Sequence, residues 1–133
     1  MKFFSKDKSV VKQLKSATVG GVTIEGEGEL RVAMAGENLQ MTYVELEPGY
    51  FHPMHRHPDN ESIGYVFSGK IKMTIDGIDH ILQAGDVWIH PRNVWHETRC
   101  LEKATFLEMH TPARDDFKDL WAQNEANESA KEA

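Results

Sequence analysis

Histidine is the residue type with the clearest chemical potential in this sequence. Seven histidines occur in 133 residues, and one group lies between positions 52 and 96: His52, His55, His57, His90 and His96. A neutral imidazole presents one ring nitrogen to a divalent transition metal while its other nitrogen forms a hydrogen bond. The density of the group favours a metal centre. Surface histidines without a ligand are the alternative.

The first spacing pattern runs from Gly49 to Glu61 and reads G-x5-H-x-H-x3-E. His55 and His57 are separated by one residue, so on a β-strand both side chains leave the same face of the sheet. Two imidazoles side by side are the beginning of a metal site. Glu61 follows His57 by four positions and is a candidate carboxylate ligand.

A second spacing pattern runs from Gly85 to His96 and reads G-x5-P-x-N-x2-H. The two patterns, in this order, resemble the paired motifs of the cupin superfamily. Asn93 stands where the cupin motif has a glycine, and asparagine tolerates the left-handed backbone that the turn requires. The resemblance implies an all-β fold, an antiparallel jelly-roll β-barrel with a metal inside it.

The resemblance also implies the metal ligands. It assigns one divalent transition metal, which could be zinc, nickel, iron or manganese, to His55, His57 and His96. The fourth position stays open among Glu61, Ser62 and water. The cupin spacing counted forward from His57 gives Glu61, whereas the spacing counted back from Gly69 gives Ser62. A shift of one residue turns a strand side chain to the opposite face of the sheet.

Short β-branched or aromatic runs fill the region that holds these histidines. Predicted strands cover residues 30–35, 39–46, 62–67, 70–75, 80–82, 87–90, 94–98 and 104–110, and turn residues separate them. Asp76 and Gly77 indicate a two-residue hairpin, because both central positions of such a turn need a positive φ. Short strands at this even spacing predict an antiparallel sandwich or barrel.

The length suits one domain with a flanking segment at each end. Residues 19–112 are predicted to form the barrel. Residues 1–18 are interpreted as an N-terminal arm or edge strand, which could also contact a second subunit. Within residues 113–133, three apolar side chains recur at helical spacing: Phe117, Leu120 and Trp121. This segment is predicted to be a C-terminal helix that covers an open face of the barrel and frays into a polar tail.

Composition narrows the classes of function. Asp and Glu number 21 against 15 Lys and Arg, so the formal net charge is −6, and this argues against a nucleic-acid binder. No apolar run is long enough to predict a membrane span. The single cysteine, Cys100, excludes an internal disulfide and a thiolate metal cage. We therefore expect a cytoplasmic protein without a nucleic-acid or membrane partner.

The last predicted strand carries a second chemical group. Alternation puts Phe106, Glu108 and His110 on one face, which either faces the metal or lies at a solvated edge. With Arg114, this stretch is similar to the end of small cupins that linearise unsaturated uronates from pectin and alginate breakdown. In those proteins an acid, an aromatic residue and an arginine face the substrate. The resemblance implies that Glu108, His110 and Arg114 are catalytic, with an imidazole replacing the aromatic group.

These residues predict a metal-dependent isomerase or lyase that acts on a small sugar acid or keto acid. Arg114 would pair with a carboxylate, and Glu108 or His110 would move a proton beside the metal. Two alternatives stay open: an iron dioxygenase with three histidine ligands, and a cupin that binds a small molecule without chemistry.

Apolar strand positions such as Leu107 and Met109 also predict a homodimer.

Overall fold

The computed structural model describes the backbone of residues 4–132 and the side chains of residues 4–128. Within these residues the chain forms antiparallel strands followed by one long helix, as predicted. The elements are β1 (Lys12–Gln13), β2 (Thr18–Val19), β3 (Val22–Thr23), β4 (Gly28–Ala35), β5 (Gln40–Leu46), β6 (Phe51–His55), β7 (Glu61–Ile75), β8 (Ile78–Gln83), β9 (Val87–His90), β10 (His96–Thr111) and α1 (Asp115–Glu132).

Strands β7 and β10 form the centre of the fold. They run antiparallel along nearly their whole length, and each takes different partners at its two ends. One half of β10 pairs with β5 and the other half with β6, while β7 pairs with β9 and β8 in the same manner. The long pair therefore passes from one sheet into a second, and the two sheets close a jelly-roll barrel.

The long strands bend where they cross between the sheets. Gly69 has a φ of 86°, and a Cβ atom there would overlap the carbonyl of Lys103, so the bend requires glycine. Opposite this glycine, the register of β10 against β7 shifts between Cys100 and Phe106. The bend lets one pair of strands contribute side chains to both halves of the interior.

The sequence patterns locate most strands but misjudge their continuity. The predicted segments 62–67 and 70–75 are the two halves of β7, and 94–98 and 104–110 largely belong to β10. The prediction of separate strands is wrong, and in β7 the reason is that Gly69, which signals a turn in sequence, marks a bend within the strand. Strand β6 is not predicted either, since Pro53 lies within it and proline is rare in strand interiors.

Two turns adopt the backbone that their residues predict. Asp76 and Gly77 join β7 to β8 with φ values of 51° and 77°, which confirms the hairpin. Asn93 has a φ of 64°, so it takes the left-handed conformation expected of the motif glycine. This turn ends just before β10 and so sets the position of His96.

The hydrophobic core lies between the sheets and extends to the helix. Phe117 of α1 is 2% exposed, and Leu120 and Trp121 pack against the same core, which confirms the predicted apolar stripe. Asn124, also buried, donates to the Val32 carbonyl at 3.2 Å and accepts from the Val10 amide at 2.8 Å. The helix is therefore tied to both β4 and the N-terminal segment.

The N-terminal segment reaches the end of the barrel where His55 lies. Strand β1 pairs with β4 at the edge of the sheet, and residues 1–3 of the predicted arm lie outside the described residues. The β2–β3 hairpin follows, and a Cβ on Gly20 in its turn would lie 2.6 Å from Cδ2 of His55.

Among the described residues, no helix has both the length and the apolar character needed to cross a membrane.

Candidate metal centre and active site

Three histidines converge inside the barrel. His55 ends β6, His57 lies two residues beyond it, and His96 begins β10. His55 and His96 are paired across β6 and β10, and one ligand atom from each of the three histidines lies within 4.8 Å of the others. At metal–nitrogen distances of about 2.0–2.1 Å, a small movement of the rings would bring all three to one ion.

Hydrogen bonds determine which nitrogen two of these rings offer. Nδ1 of His55 donates to the Pro53 carbonyl at 2.7 Å, and Nδ1 of His96 donates to the Val94 carbonyl at 3.1 Å. Because a carbonyl only accepts, Nδ1 carries the proton and Nε2 keeps its lone pair for a metal. The same bonds orient the rings, as backbone partners do for metal-binding histidines.

The environment keeps the three imidazoles neutral. Burial and the neighbouring histidines lower the pKa of His55 to about 2. Burial and the Arg114 guanidinium lower the pKa of His57 to about 3, and burial is also the main cause that lowers the pKa of His96. A divalent transition metal binds neutral imidazole, so the donor set fits such an ion.

The structure separates Glu61 from the three histidines. Glu61 begins β7 with an exposed side chain, whereas Ser62 is buried. Successive strand residues face opposite sides of the sheet, so the inward position of Ser62 turns Glu61 outward. Within the described part of the chain, only the three histidines form a group able to hold a metal. This placement does not support Glu61 as the fourth ligand.

Two further histidines of the group, which the sequence analysis assigns no separate role, pack on two rings of the three-histidine cluster. His52 stacks on His55 and His90 stacks on His96, each with ring centroids 3.7 Å apart. Nε2 of His52 donates to the Val19 carbonyl at 2.8 Å, while Nδ1 of His90 is buried without a hydrogen-bond partner among the described residues. Alternation along β9 is the signal that would have found His90, because it puts this residue on the inner face.

The far half of β10 brings an acid and an imidazole into the barrel. Glu108 and His110 line the same cavity as Phe106. The Ser62 hydroxyl donates to Oε2 of Glu108 at 2.6 Å, and Nε2 of His110 lies 3.4 Å from the Thr42 hydroxyl. The structure therefore places both groups in the cavity that holds the histidines, and not at a solvated edge.

Glu108 is ionised in this setting. Burial alone would raise its pKa, but His110, His90, the Ser62 hydroxyl and Arg114 outweigh burial and lower the pKa to about 2. The pKa of His110 is lowered by burial, against the attraction of Glu108. At neutral pH the cavity holds a carboxylate beside a neutral imidazole, a pairing suited to proton transfer.

An inner cavity and an outer cleft meet at two of the predicted site residues. The cavity has a volume of about 60 Å³, enough for roughly four to six waters at ~10–15 Å³ each. The cleft has a volume of about 470 Å³ and is lined partly by the loop after His57 and the start of α1. His57 and Arg114 line both spaces, so they stand where a ligand would pass from the cleft to the metal.

Arg114, between β10 and α1, reaches the metal end of the cavity. Its Nη1 lies 3.4 Å from Nε2 of His57, and its guanidinium packs over the Phe117 ring at 4.4 Å. Nε donates to Oδ1 of Asp116 at 2.9 Å, and Nη2 donates to the other carboxylate oxygen. The structure thus brings Arg114 to the histidine cluster, although many residues separate them in sequence.

Comparison with known proteins identifies the family. The family profile described as Cupin domain matches residues 42–110, which include all three histidines and Glu108. The match covers more than half of the chain. The chain belongs to the cupin family. In this cupin, Arg114 lies beyond the matched segment, and the interpretation of its role therefore depends on its contacts.

This cupin is similar to the pectin degradation protein KdgF of Dickeya dadantii, with 29% identity over 94 residues, 69% of this chain and 86% of the relative. It is also similar to the structure of KdgF from Halomonas sp., at 21% identity and a TM-score of 0.75, over 88% of this chain and 98% of that chain. An RmlC-like cupin from Shewanella frigidimarina gives 21% identity and a TM-score of 0.73, over 88% and 96%. The two structural likenesses show the shared barrel.

Proposed function

We propose that this cupin is a metal-dependent isomerase or lyase acting on a small sugar acid or keto acid. The observation that carries the proposal is one shared cavity, lined by three neutral imidazoles, an ionised Glu108 and the Arg114 guanidinium. A proton transfer on an acidic substrate, without net oxidation, uses all of these groups. The Dickeya relative is a pectin degradation protein, which supports linearisation of an unsaturated uronate as the reaction to test first.

The three histidines would hold one divalent transition metal, which when bound polarises a substrate oxygen. Glu108 would accept the proton of the anomeric hydroxyl. As that oxygen becomes a carbonyl, the bond from the anomeric carbon to the ring oxygen breaks, and its electron pair moves to the ring oxygen. The proton then returns to the ring oxygen through Glu108 or His110, so the reaction is an isomerisation. Arg114 would bind the substrate carboxylate by paired hydrogen bonds.

A second candidate function is an iron-dependent dioxygenase. The outward placement of Glu61 supports it, since three imidazoles without a carboxylate leave coordination positions open for ferrous iron and oxygen. The third alternative is a cupin that binds a small acid without chemistry. We favour the isomerase or lyase because an ionised carboxylate beside the histidines has a direct use as a general base.

The test uses the whole chain loaded separately with zinc, nickel, manganese or ferrous iron. Unsaturated uronates made with pectate and alginate lyases serve as substrates, NMR follows ring opening, and an oxygen electrode follows oxygen uptake. We expect ring-opened product without oxygen uptake. Oxygen uptake with ferrous iron would support the dioxygenase instead, and saturable binding without product in every metal form would support the binding protein.

The metal assignment has its own test. His96→Ala is expected to reduce bound metal to near zero and to abolish turnover, because it removes one of three ligands. His80→Ala is the matched control, since His80 is exposed on β8 and should leave the metal content unchanged. Elemental analysis after gel filtration measures both variants. Full metal retention in His96→Ala would contradict the assignment.

We also propose that the protein is a homodimer, and that a second copy covers the outer side of β7, β9 and β10. Six side chains, 40–62% exposed, form this apolar face: Ile63, Tyr65, Phe67, Val87, Ile89 and Met109. Strand register places them side by side, and monomers rarely expose an apolar patch larger than a few hundred Å². A twofold axis lets the face meet itself. A cytoplasmic location stays a prediction.

A further inference from the structure

We infer that Asp116 is a positioning residue for Arg114, which it holds as a receptor for the carboxylate of the substrate. Asp116 would thereby set the preference for acidic over neutral sugars. The inference rests on the proposed function in one respect, namely that the ligand carries a carboxylate. It follows from three features of Arg114: the edge of the guanidinium that Asp116 occupies, the edge left free, and the anchoring of the backbone.

Asp116 occupies one defined edge of the guanidinium. Its two carboxylate oxygens accept from Nε and Nη2 of Arg114, a two-pronged arrangement along the side of the group. Arginine has five N–H donors in a rigid plane, so this pairing leaves one donor of Nη2 and the two donors of Nη1, and Nη1 also lies 3.4 Å from Nε2 of His57. The remaining donor of Nη2 and one donor of Nη1 lie parallel at the end of the guanidinium, where a second carboxylate can bind with two hydrogen bonds.

The free edge of the guanidinium faces the metal end of the cavity. Nη1 is the atom that lies 3.4 Å from Nε2 of His57, and Arg114 lines both the inner cavity and the outer cleft. The ring of Phe117 covers one flat side of the guanidinium, which restricts its rotation. A carboxylate bound at the free edge would therefore place the rest of a small substrate beside the histidines and Glu108.

The backbone of Arg114 is anchored independently of its side chain. Gln40, a fully buried residue at the start of β5, accepts from the Arg114 amide at 3.3 Å and donates to the Arg114 carbonyl at 3.4 Å. One side chain thus holds both the backbone amide and the backbone carbonyl of residue 114. With the backbone held by Gln40 and the side chain by Asp116, little conformational freedom remains to be lost when a ligand binds.

Stability alone does not account for the pair. The side chain of Asp116 is 43% exposed and that of Arg114 is 10% exposed, and ion pairs with an exposed partner contribute only about 0–1 kcal/mol. A competing interpretation is that Asp116 blocks Arg114 and must leave before substrate binds. The two interpretations predict opposite signs, because removal of a blocking carboxylate would strengthen substrate binding, whereas removal of a positioning carboxylate weakens it.

The experiment measures calorimetric binding of D-galacturonate and of neutral D-galactose to the metal-loaded protein. Asp116→Ala is expected to weaken galacturonate binding about tenfold, through lost preorganisation, and to leave galactose binding unchanged. With a turned-over uronate, KM should rise by about the same factor while kcat stays within about threefold. Asp116→Glu, which keeps the carboxylate, should recover part of the loss.

Asp115→Ala is the matched control, because Asp115 is a neighbouring exposed acid that pairs with Lys118 and not with Arg114. Tighter or unchanged galacturonate binding in Asp116→Ala, with the wild-type preference for galacturonate intact, would overturn the positioning role alone. If wild type binds galacturonate no more tightly than galactose, and Arg114→Met does the same, the acidic-substrate part of the proposed function is overturned as well. The two failures are therefore distinguishable.

Discussion

The two halves of the β7–β10 pair differ in the side chains that they turn outward, although the same two strands form both. In the half that pairs with β8 and β6, Ile71 and Met73 are buried while Lys70 and Lys72 lie towards solvent. In the half that pairs with β9 and β5, the inner face carries a serine, a carboxylate and an imidazole beside buried apolar residues, and the outer face carries large apolar side chains, so we call it the inverted half. Gly69 marks the boundary between the halves.

The contrast indicates that the side chains which a strand face buries depend on the role of that face in the protein. Apolar burial is favourable by about 25 cal/mol per Å², so a half with its apolar side outward gives up stability unless another surface covers it. An inner face with ionisable groups has a similar cost unless those groups are hydrogen-bonded. Under the proposals above, the inverted half would combine catalytic groups inside with a contact surface outside, while the other half supplies core residues and the candidate metal ligand His96.

The largest effect is expected on the inner side of the inverted half. Glu108→Gln keeps the shape but removes the charge, so turnover should fall by about 10²–10⁴ with fold and metal content retained. Glu102→Gln is the control, because Glu102 is exposed on the same strand and pairs with Lys70. Steady-state kinetics, circular dichroism and elemental analysis distinguish the outcomes. Unchanged turnover would make Glu108 structural, and loss of metal would make it a support for the ligands.

The outer side of the inverted half should control assembly. The double change Ile63→Lys and Ile89→Lys is expected to weaken self-association about 30-fold, or roughly 2 kcal/mol, while metal content stays unchanged. Light scattering should then give a mass near 15.1 kDa for the variant and twice that for wild type. Ile81→Lys, in an exposed position on β8, is the control. A wild-type protein that is monomeric at micromolar concentration would contradict the dimer.

The smallest effect is the pH dependence of stability. The pKa of Glu108 is lowered from 4.5 to about 2 in the folded chain, so its ionised form stabilises the fold above the unfolded pKa, and this contribution is lost as the pH falls towards 2. The stability difference between wild type and Glu108→Gln should therefore shrink from about pH 5 to about pH 3. Urea midpoints of metal-stripped protein measure it. A constant difference would show that the carboxylate charge is not stabilising.

Sequence reasoning predicts the features of this molecule that depend on local spacing and on strand alternation. The motifs that hold His55, His57 and His96 predict the cluster through the cupin resemblance, and alternation predicts that Glu108 and His110 share one face. It does not decide between Glu61 and Ser62, because the loop before β7 sets the phase of the strand. One residue of register determines which side chain points inward.

Other features depend on contacts between distant segments, which no local pattern carries. The anchoring of Arg114 by Gln40 joins residues 74 positions apart, and the tie between Asn124 and Val10 spans 114 positions. The continuity of β7 through its glycine is likewise decided by the strand across from it. In each case a single residue type is compatible with several structures, and tertiary packing selects one of them.

The stacking of His52 on His55 and of His90 on His96 has a consequence for metal exchange. Each of the two ligand rings is held at its edge by a backbone carbonyl and on its face by a second imidazole, so the rotational entropy of the ligands is lost during folding and not at metal capture. A receptor ordered in advance can release one ion and accept another without unfolding, unlike small domains that fold only around their metal. The identity of the bound ion would then follow its supply in the cell, and one polypeptide could serve under changing metal availability.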